Sequence, residues 1–395
     1  MAPVHPVTRP STHRALRQDS RFEPLSVQTV AIPDVIPGSA ILRVEVAGIL
    51  SYMREIYNGD RAYPYPVPLT AGSGAIGRVV ALGPDATRLT LGDLCLLDVT
   101  IRSRDGQGDI YLSAITDGFT PGSKKLMAEG GFRDGTYAEY VRFPLENCFR
   151  LDERKLLGSP EEGGWGYLME DLPYINKMLV PYGGMGPLCI DVKPGETVVV
   201  APATGSFGAA AVHLALELGA GKVIAMGRNT AVLEKVKALE PDDKKSRVVT
   251  VPLTGILEKD LKALTDAKNG GAIDVFFDIS PPMAKDSAHV KAGVLSLCHG
   301  GRLCLMGGLR DDVALPHLIV MHYDITIKGK WMYEREDVTS FIKMVESGTV
   351  RLHNDKRGWN MYGSQCRKKY RLEDWADAFD EAHKLSGEGR VVFEP

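Results

Sequence analysis

The residues whose types and spacing carry chemistry begin at Pro202-Ala-Thr-Gly205-Ser-Phe-Gly208. This run follows three valines and opens an alanine-rich stretch, the context in which a glycine turn between a strand and a helix binds pyrophosphate. Gly205 would let the backbone approach the phosphates, and Gly208 would let the helix pack closely on the sheet. The helix N-terminus adds free N–H groups and a partial positive charge. Thr204, Gly205, Ser206, Phe207 and Gly208 are therefore the candidate cradle. The first glycine of the usual G-x-G-x-x-G is missing. A bare Gly-x-x-Gly is also what a structural turn would show, so the weight falls on the strand–turn–helix–strand context.

The end of the next strand decides between cofactors. An NAD site usually places Asp or Glu about 20 residues after the loop, on the ribose 2′-hydroxyl. Here Met226 is followed by Gly227-Arg228-Asn229, without a carboxylate. Arg228, with Asn229 beside it, can form charge-assisted contacts with a 2′-phosphate. The expected cofactor is NADP(H). The plain alternative is an exposed arginine at a strand end.

The elements that must position these residues follow from length and pattern. The chain has 395 residues, which suggests two or three domains with ample core. Apolar residues make up 44% and charged residues 25%, ordinary for a globular protein and against wholesale disorder. Lys and Arg number 47 against 50 Asp and Glu, a balance that argues against a nucleic-acid or anionic-membrane partner. Six dispersed cysteines fit reduced thiols in the cytoplasm better than a disulfide scaffold. Residues 1–20 contain no apolar run and read as neither signal peptide nor anchor. Residues 197–216 carry no Asp, Glu, Lys or Arg, the length of a membrane span. Pro202, Gly205 and Gly208 interrupt them, so a buried strand, a turn and a buried helix are expected instead.

Two textures divide the chain. From about Ser20 to Arg150 the pattern favours β structure. Leu42, Val44 and Val46 alternate with Arg43 and Glu45 after a Pro37-Gly38 turn, a half-buried strand. Further strands are expected over 77–83, 94–98 and 137–143. Residues 100–134, rich in glycine and charge, read as a long surface excursion. From about Pro194 onward strands and helices alternate: strands over 198–201, 222–226, 248–251, 273–279, 302–306 and 325–328, with helices over 207–218 and 231–239. That alternation indicates a doubly wound parallel sheet. An amphipathic helix over 373–385, with Trp375 and Phe379 inward, precedes a last strand at 390–393.

At this point the sequence resembles the medium-chain dehydrogenase/reductase superfamily, which includes alcohol dehydrogenases and quinone reductases. The resemblance is carried by Val44-Glu-Val-Ala-Gly48, Pro68-Leu-Thr-Ala-Gly72, Gly77-Arg-Val-Val-Ala-Leu-Gly83, Gly92-Asp93 and Asp134-Gly-Thr-Tyr-Ala-Glu-Tyr-Val141. It continues through Val192-Lys-Pro-Gly-Glu-Thr-Val-Val-Val200, Gly300-Gly-Arg-Leu-Cys-Leu-Met-Gly307 and Gly389-Arg-Val-Val-Phe393. The resemblance implies an α/β protein with two parts. A GroES-like all-β catalytic domain is expected over 1–175, completed by 335–395, and a Rossmann doubly wound parallel-sheet cofactor domain over 176–334. It also implies that Ser280 and Gly307 join the cofactor-binding residues. It does not specify a substrate.

Zinc-dependent members of the family bind the catalytic metal through Cys, His and Cys. Matching their motifs puts Leu50 and Ser73 at the first two positions. Counting back from Lys193-Pro194-Gly195 puts Lys177 at the third. Leucine cannot ligate zinc, and serine and lysine substitute poorly for imidazole and thiolate. The four-cysteine cluster of a structural zinc is also absent from the sequence. Cys298-His299 and Cys304 flank a Gly-Gly turn, and the cysteines read as ordinary core residues. The expectation is no metal.

Something else must then supply a proton. Tyr52 falls where the zinc enzymes carry a hydroxyl relay. Tyr63 lies near where some zinc-free enoyl reductases of the family place a catalytic tyrosine. A phenol stays protonated at neutral pH and can donate to a developing oxyanion. For both, cleft lining is the alternative. Lys177 is a candidate electrostatic stabiliser, and Trp331, Met332 and Tyr333 resemble the segment lining the nicotinamide end. The expected function is a zinc-independent, NADPH-using oxidoreductase acting on a small molecule with an electron-poor C=C or a carbonyl. The alternatives are an NADP(H)-dependent alcohol dehydrogenase or ketone reductase with tyrosine in place of zinc, and a nucleotide or ligand binder without redox turnover. A homodimer or a monomer is expected, without membrane or nucleic-acid partners.

Overall fold

The computed structural model describes residues 10–106 and 108–395. The expectation for the extreme N-terminus therefore lies largely outside the described residues. Two units divide the chain: one runs to Asn176 and resumes at Cys366–Pro395, and the other is Lys177–Gln365.

In the first unit the alternating stretch forms the long strand Ser39–Gly48, with Leu42, Val44 and Val46 buried and Arg43 exposed. It sits inside a seven-stranded sheet ordered Cys148–Arg150, Leu94–Leu97, Ala75–Leu82, Ser39–Gly48, Arg390–Phe393, Cys366–Tyr370, and Tyr140–Pro144 also pairs with it. A second sheet joins Ser26–Ala31, Thr12–Gln18 and Leu69–Thr70. Sequence reasoning did not foresee Thr12–Gln18 or its partner. The helix Trp375–Leu385 buries Ala378, Phe379 and Ala382, while Trp375 is half-buried.

Residues 100–134 are more than a surface excursion. They build the hairpin Thr100–Arg102/Ile110–Leu112 and the helix Pro121–Glu129, which starts at a capping box on Thr120 with Pro121 in its first turn. Tyr111, Ala114, Ile115 and Met127 are buried, and the Ser113 hydroxyl lies 2.9 Å from the Asp134 carbonyl oxygen. Glycine and charge mark the turns of this segment, while its few apolar residues anchor it.

The second unit is a six-stranded parallel sheet ordered Val248–Pro252, Lys222–Gly227, Thr197–Ala201, Val275–Asp278, Arg302–Leu305, Thr326–Gly329. Counted within the unit this is the order 3-2-1-4-5-6 of a doubly wound nucleotide-binding fold. Val199, Ile224, Phe276 and Leu303 meet in its core. Most helices are amphipathic, but Ser206–Glu217 is buried from Gly208 to Glu217. The chain returns to the first unit at Cys366, later than residue 335. The reason is the helix Arg335–Ser347, which buries Val338, Phe341, Ile342 and Val345 and sets Phe341 against Tyr182, ring centroids 5.0 Å apart. Among the described residues no helix is long and apolar enough to cross a membrane.

Candidate active site

The glycine turn lies where the sequence put it, between the strand Thr197–Ala201 and the helix Ser206–Glu217. The Ala203 amide donates to the Met226 carbonyl at 2.7 Å and ties the turn to the next strand. A Cβ on Gly208 would stand 2.0 Å from the Pro202 carbonyl oxygen, so only glycine lets the helix lie on the turn. Gly205 differs: it is exposed, and a Cβ there would meet nothing within 4 Å. As N-cap it offers no side-chain acceptor, which leaves the first N–H groups of the helix for another partner. Thr204, Ser206 and Phe207 are half-buried around it. A Cβ on Gly227 would meet Thr204 Cγ2 at 2.6 Å, so the next strand can end only in glycine at this point.

Arg228 follows, exposed and without an ion-pair partner among the described residues. Asn229 has a structural task, because its side-chain oxygen accepts the Val232 amide at 3.2 Å and caps the helix Thr230–Leu239. Ser280 is committed more fully. Its hydroxyl lies 2.5 Å from Asp278 Oδ1 and 2.6 Å from His289 Nε2, and His289 Nδ1 lies 2.8 Å from the Ser287 hydroxyl. These groups are mutually satisfied when Nε2 carries the imidazole proton. Only the Ser280 backbone is left to serve a ligand, and its carbonyl already accepts the Gly308 amide at 2.6 Å. Gly307 closes against the same cluster: a Cβ there would meet Asp278 Oδ2 at 2.5 Å and Ser280 N at 2.7 Å. Ser280 and Gly307 are thus neighbours. Sequence reasoning missed the buried Asp278 and His289 behind them, for which spacing gives no signal. Of the Trp331–Tyr333 segment, Tyr333 is buried, Trp331 is exposed, and Met332 has a φ of +61°.

In the first unit Tyr52 and Tyr63 come together around Arg61, which the sequence did not single out. The Arg61 guanidinium stacks 3.9 Å over the Tyr52 ring, lies 5.6 Å from the Tyr63 ring centre, and donates to the Tyr63 oxygen at 3.3 Å. The Tyr52 hydroxyl makes no hydrogen bond to the described residues. Burial pushes its pKa well above that of a free phenol, with Tyr63 and Glu55 adding and Arg61 opposing. Tyr52 is therefore a neutral donor at any physiological pH.

The expected metal positions are filled by other chemistry. Leu50 is half-buried. The Ser73 hydroxyl is bonded to the Gly48 carbonyl, which also accepts from the Tyr137 hydroxyl at 3.0 Å. The side chain against Gly74 is that of Asn176, whose Cγ would lie 2.4 Å from a Cβ added there. Lys177 follows on the helix Tyr174–Met185, half-buried, in the second unit. Both polar atoms of the Asn176 amide are buried without a hydrogen-bond partner. Such an arrangement costs roughly 1–3 kcal/mol per group unless a water or ligand satisfies it. Cys298 and His299 do not converge with Cys304. Cys298 faces Asp274 at 3.7 Å and exposed His299 faces Asp324 at 3.6 Å. Among the described residues no group of three or more His, Cys, Asp or Glu could hold a metal ion.

Comparisons with known proteins agree with this architecture. The family model for the alcohol dehydrogenase GroES-like domain matches residues 36–153. The chain is 22% identical over 390 residues to the NAD-dependent alcohol dehydrogenase of Saccharolobus solfataricus, covering 97% of this chain and 100% of that one. It is 26% identical over 340 residues to the L-threonine 3-dehydrogenase of Ruegeria pomeroyi, covering 84% and 87%. In three dimensions it resembles the cobalt and zinc bound thermostable alcohol dehydrogenase from Pyrobaculum aerophilum, with a TM-score of 0.68, 21% identity and coverage of 97% and 100%.

Proposed function

The chain belongs to the medium-chain dehydrogenase/reductase superfamily, and from that premise we propose a zinc-independent oxidoreductase that uses NADPH to reduce an electron-poor C=C bond, as in an enone or quinone, or the carbonyl of a small organic molecule. The observation that carries the reading is the replacement of the metal positions. Leu50 has no donor atom, and the Ser73 hydroxyl is bonded to a backbone carbonyl. A zinc ion needs thiolate, imidazole or carboxylate at such positions. These residues do not fit one.

The nucleotide-binding half does fit its cofactor. The N–H groups over Thr204–Gly208 would hold the pyrophosphate, and exposed Arg228 the 2′-phosphate. Bound NADPH would supply the hydride. Tyr52 then offers its unpartnered hydroxyl to the oxygen on which negative charge accumulates, and a donor placed there stabilises the transition state more than the ground state. Arg61 holds the Tyr52 ring by stacking and keeps Tyr63 within reach as the second donor. Lys177 is the third candidate, as a stabilising cation.

A second reading, interconversion of an alcohol and a carbonyl, is favoured by the relatives named as alcohol and threonine dehydrogenases. Product analysis from NADPH with enones, quinones and ketones separates the two. Saturated products from enones support the first reading, alcohols from ketones the second. No NADPH consumption with any member of the panel would leave only nucleotide or ligand binding. We place the protein in the cytoplasm, acting on a small molecule as a homodimer or monomer, without nucleic acid or membrane.

A further inference from the structure

Cys189 and Cys304 stand 115 residues apart in sequence, yet their Sγ atoms lie 3.8 Å apart within the second unit. Cys304 is buried in the strand Arg302–Leu305, and Cys189 is half-buried just beyond the helix Tyr174–Met185. Two lysines and two carboxylates surround the pair, Lys330 being ion-paired with Glu334. Lys328 donates to the Leu188 carbonyl at 2.8 Å, which fixes its ammonium beside Cys189, and Lys330 adds to the field while Asp337 opposes it.

We propose that Cys189 is an oxidant-reactive thiol whose oxidation product Cys304 resolves as an intramolecular disulfide. Hydroperoxides are the class of oxidant. The Cys189 thiolate attacks a peroxide oxygen and the O–O bond breaks, leaving sulfenic acid and, with a proton, water. The Cys304 sulfur then attacks the Cys189 sulfur and its proton leaves with the hydroxyl as a second water. Two thiols and one hydrogen peroxide give one disulfide and two waters. Forming the S–S bond requires the sulfurs to close by roughly 1.8 Å, within reach of side-chain rotation.

The thiols are matched to these roles. The contact with Cys304, aided by the two lysines and opposed by burial, holds the Cys189 thiol below its ordinary value. The same contact and burial push Cys304 up, which keeps it a protonated donor until Cys189 is oxidised. Cys189 therefore carries more thiolate at neutral pH than an ordinary thiol, of which roughly 3% is ionised at pH 7. Intrinsic nucleophilicity falls with pKa, which offsets part of that gain.

The test is hydrogen peroxide added to the reduced full-length chain, followed by alkylation and non-reducing peptide mass mapping. The expected product is a Cys189–Cys304 peptide pair, two hydrogens lighter than its reduced parts and restored by dithiothreitol. Cys189 should be consumed before any other cysteine of the chain. Cys304→Ser, with Cys304→Ala as a second variant should the first fold poorly, should leave a Cys189 sulfenic acid trapped by dimedone. Pairing of Cys189 with another cysteine or another chain would overturn the proposal. So would oxidation of any other cysteine ahead of Cys189, or no dimedone adduct in a folded Cys304→Ser protein, whose hydroxyl keeps a donor beside Cys189.

Discussion

Gly205→Ala tests the nucleotide cradle with little disturbance of the fold. The backbone of Gly205 has φ −84° and ψ 165°, which any L-residue adopts, and an added Cβ meets no atom within 4 Å. Two small effects on the free protein oppose each other. Alanine restricts the unfolded chain and stabilises by about 0.4–1 kcal/mol, while alanine is a poorer N-cap than glycine by a similar amount. Stability should therefore change by less than about 1 kcal/mol. Binding should change far more. A methyl group on the open face would hold the pyrophosphate away from the helix N-terminus and remove at least one charge-assisted hydrogen bond, worth roughly 1.5–3 kcal/mol. The Kd should rise about 10- to 150-fold, equally for NADPH and NADH, because both carry the pyrophosphate. Isothermal titration with each nucleotide and urea unfolding measure the two quantities. Unchanged affinity in a protein of unchanged stability would mean that the pyrophosphate does not pass over Gly205. Gly208→Ala is a poor substitute, since its Cβ would strike backbone at 2.0 Å and unsettle the helix itself.

The remaining expectations address the other named residues. Tyr52→Phe keeps the ring under Arg61, so kcat should fall about 10²–10⁴-fold with NADPH binding nearly intact. Normal turnover there, with a dead Tyr63→Phe enzyme, would transfer the role to Tyr63. Arg228 is exposed, so its phosphate contact is discounted to roughly 1–2 kcal/mol, and Arg228→Ala should weaken NADPH about 5- to 30-fold with little effect on NADH. Equal losses, or a wild type preferring NADH, would refute the assignment. Elemental analysis should find well under one zinc per chain and activity should survive chelators; stoichiometric zinc whose removal abolishes turnover would contradict this. The Tyr65 hydroxyl is buried, donates to Gln18 Oε1 at 2.8 Å, and is pushed up to about 12 by burial. An unfolded tyrosine ionises near 10, so this contribution is complete below that pH and is lost as the pH climbs from 10 through 12, by about 2 kcal/mol at pH 11.5. Urea unfolding from neutral to about pH 11.5 should show the decline, shallower in Tyr65→Phe; identical slopes would refute it.

The parts of the fold legible in the sequence were those with strong local periodicity. Leu42, Val44 and Val46 mark a strand by alternation, and the valines before Pro202 mark another by sheer apolar density. Gly208 is readable because a steric demand leaves a residue type behind. Residues 12–18 left no such mark, since Arg14 and Arg17 interrupt the pattern of a strand that pairs on both sides. The site divides in the same way. Tyr52 and Tyr63 were found by motif position, but Arg61 between them emerges only from folding. Counting along a poorly matched stretch reached Lys177, whereas the side chain against Gly74 is its neighbour Asn176. Asp278, His289, Cys189 and Cys304 meet through long loops and strand ends, and no spacing rule encodes such meetings.

The division of the first unit into two stretches has a consequence for how the chain is made. Its seven-stranded sheet has Arg390–Phe393 between Ser39–Gly48 and Cys366–Tyr370. Ser39–Gly48 is made about 340 residues before its neighbour Arg390–Phe393. The second unit lies between them as one uninterrupted stretch, and it can reach its native sheet while the first still has an open edge. At ~5–20 residues per second that edge stays bare through the synthesis of some 340 further residues, for roughly 17–70 seconds. During that interval Ala47 and Gly48, the positions that Phe393 and Val392 later pair, offer their free backbone groups to another nascent chain. Variants that weaken Val391, Val392 or Phe393 should therefore lower the yield of soluble protein in cells more than they lower the stability of protein already folded.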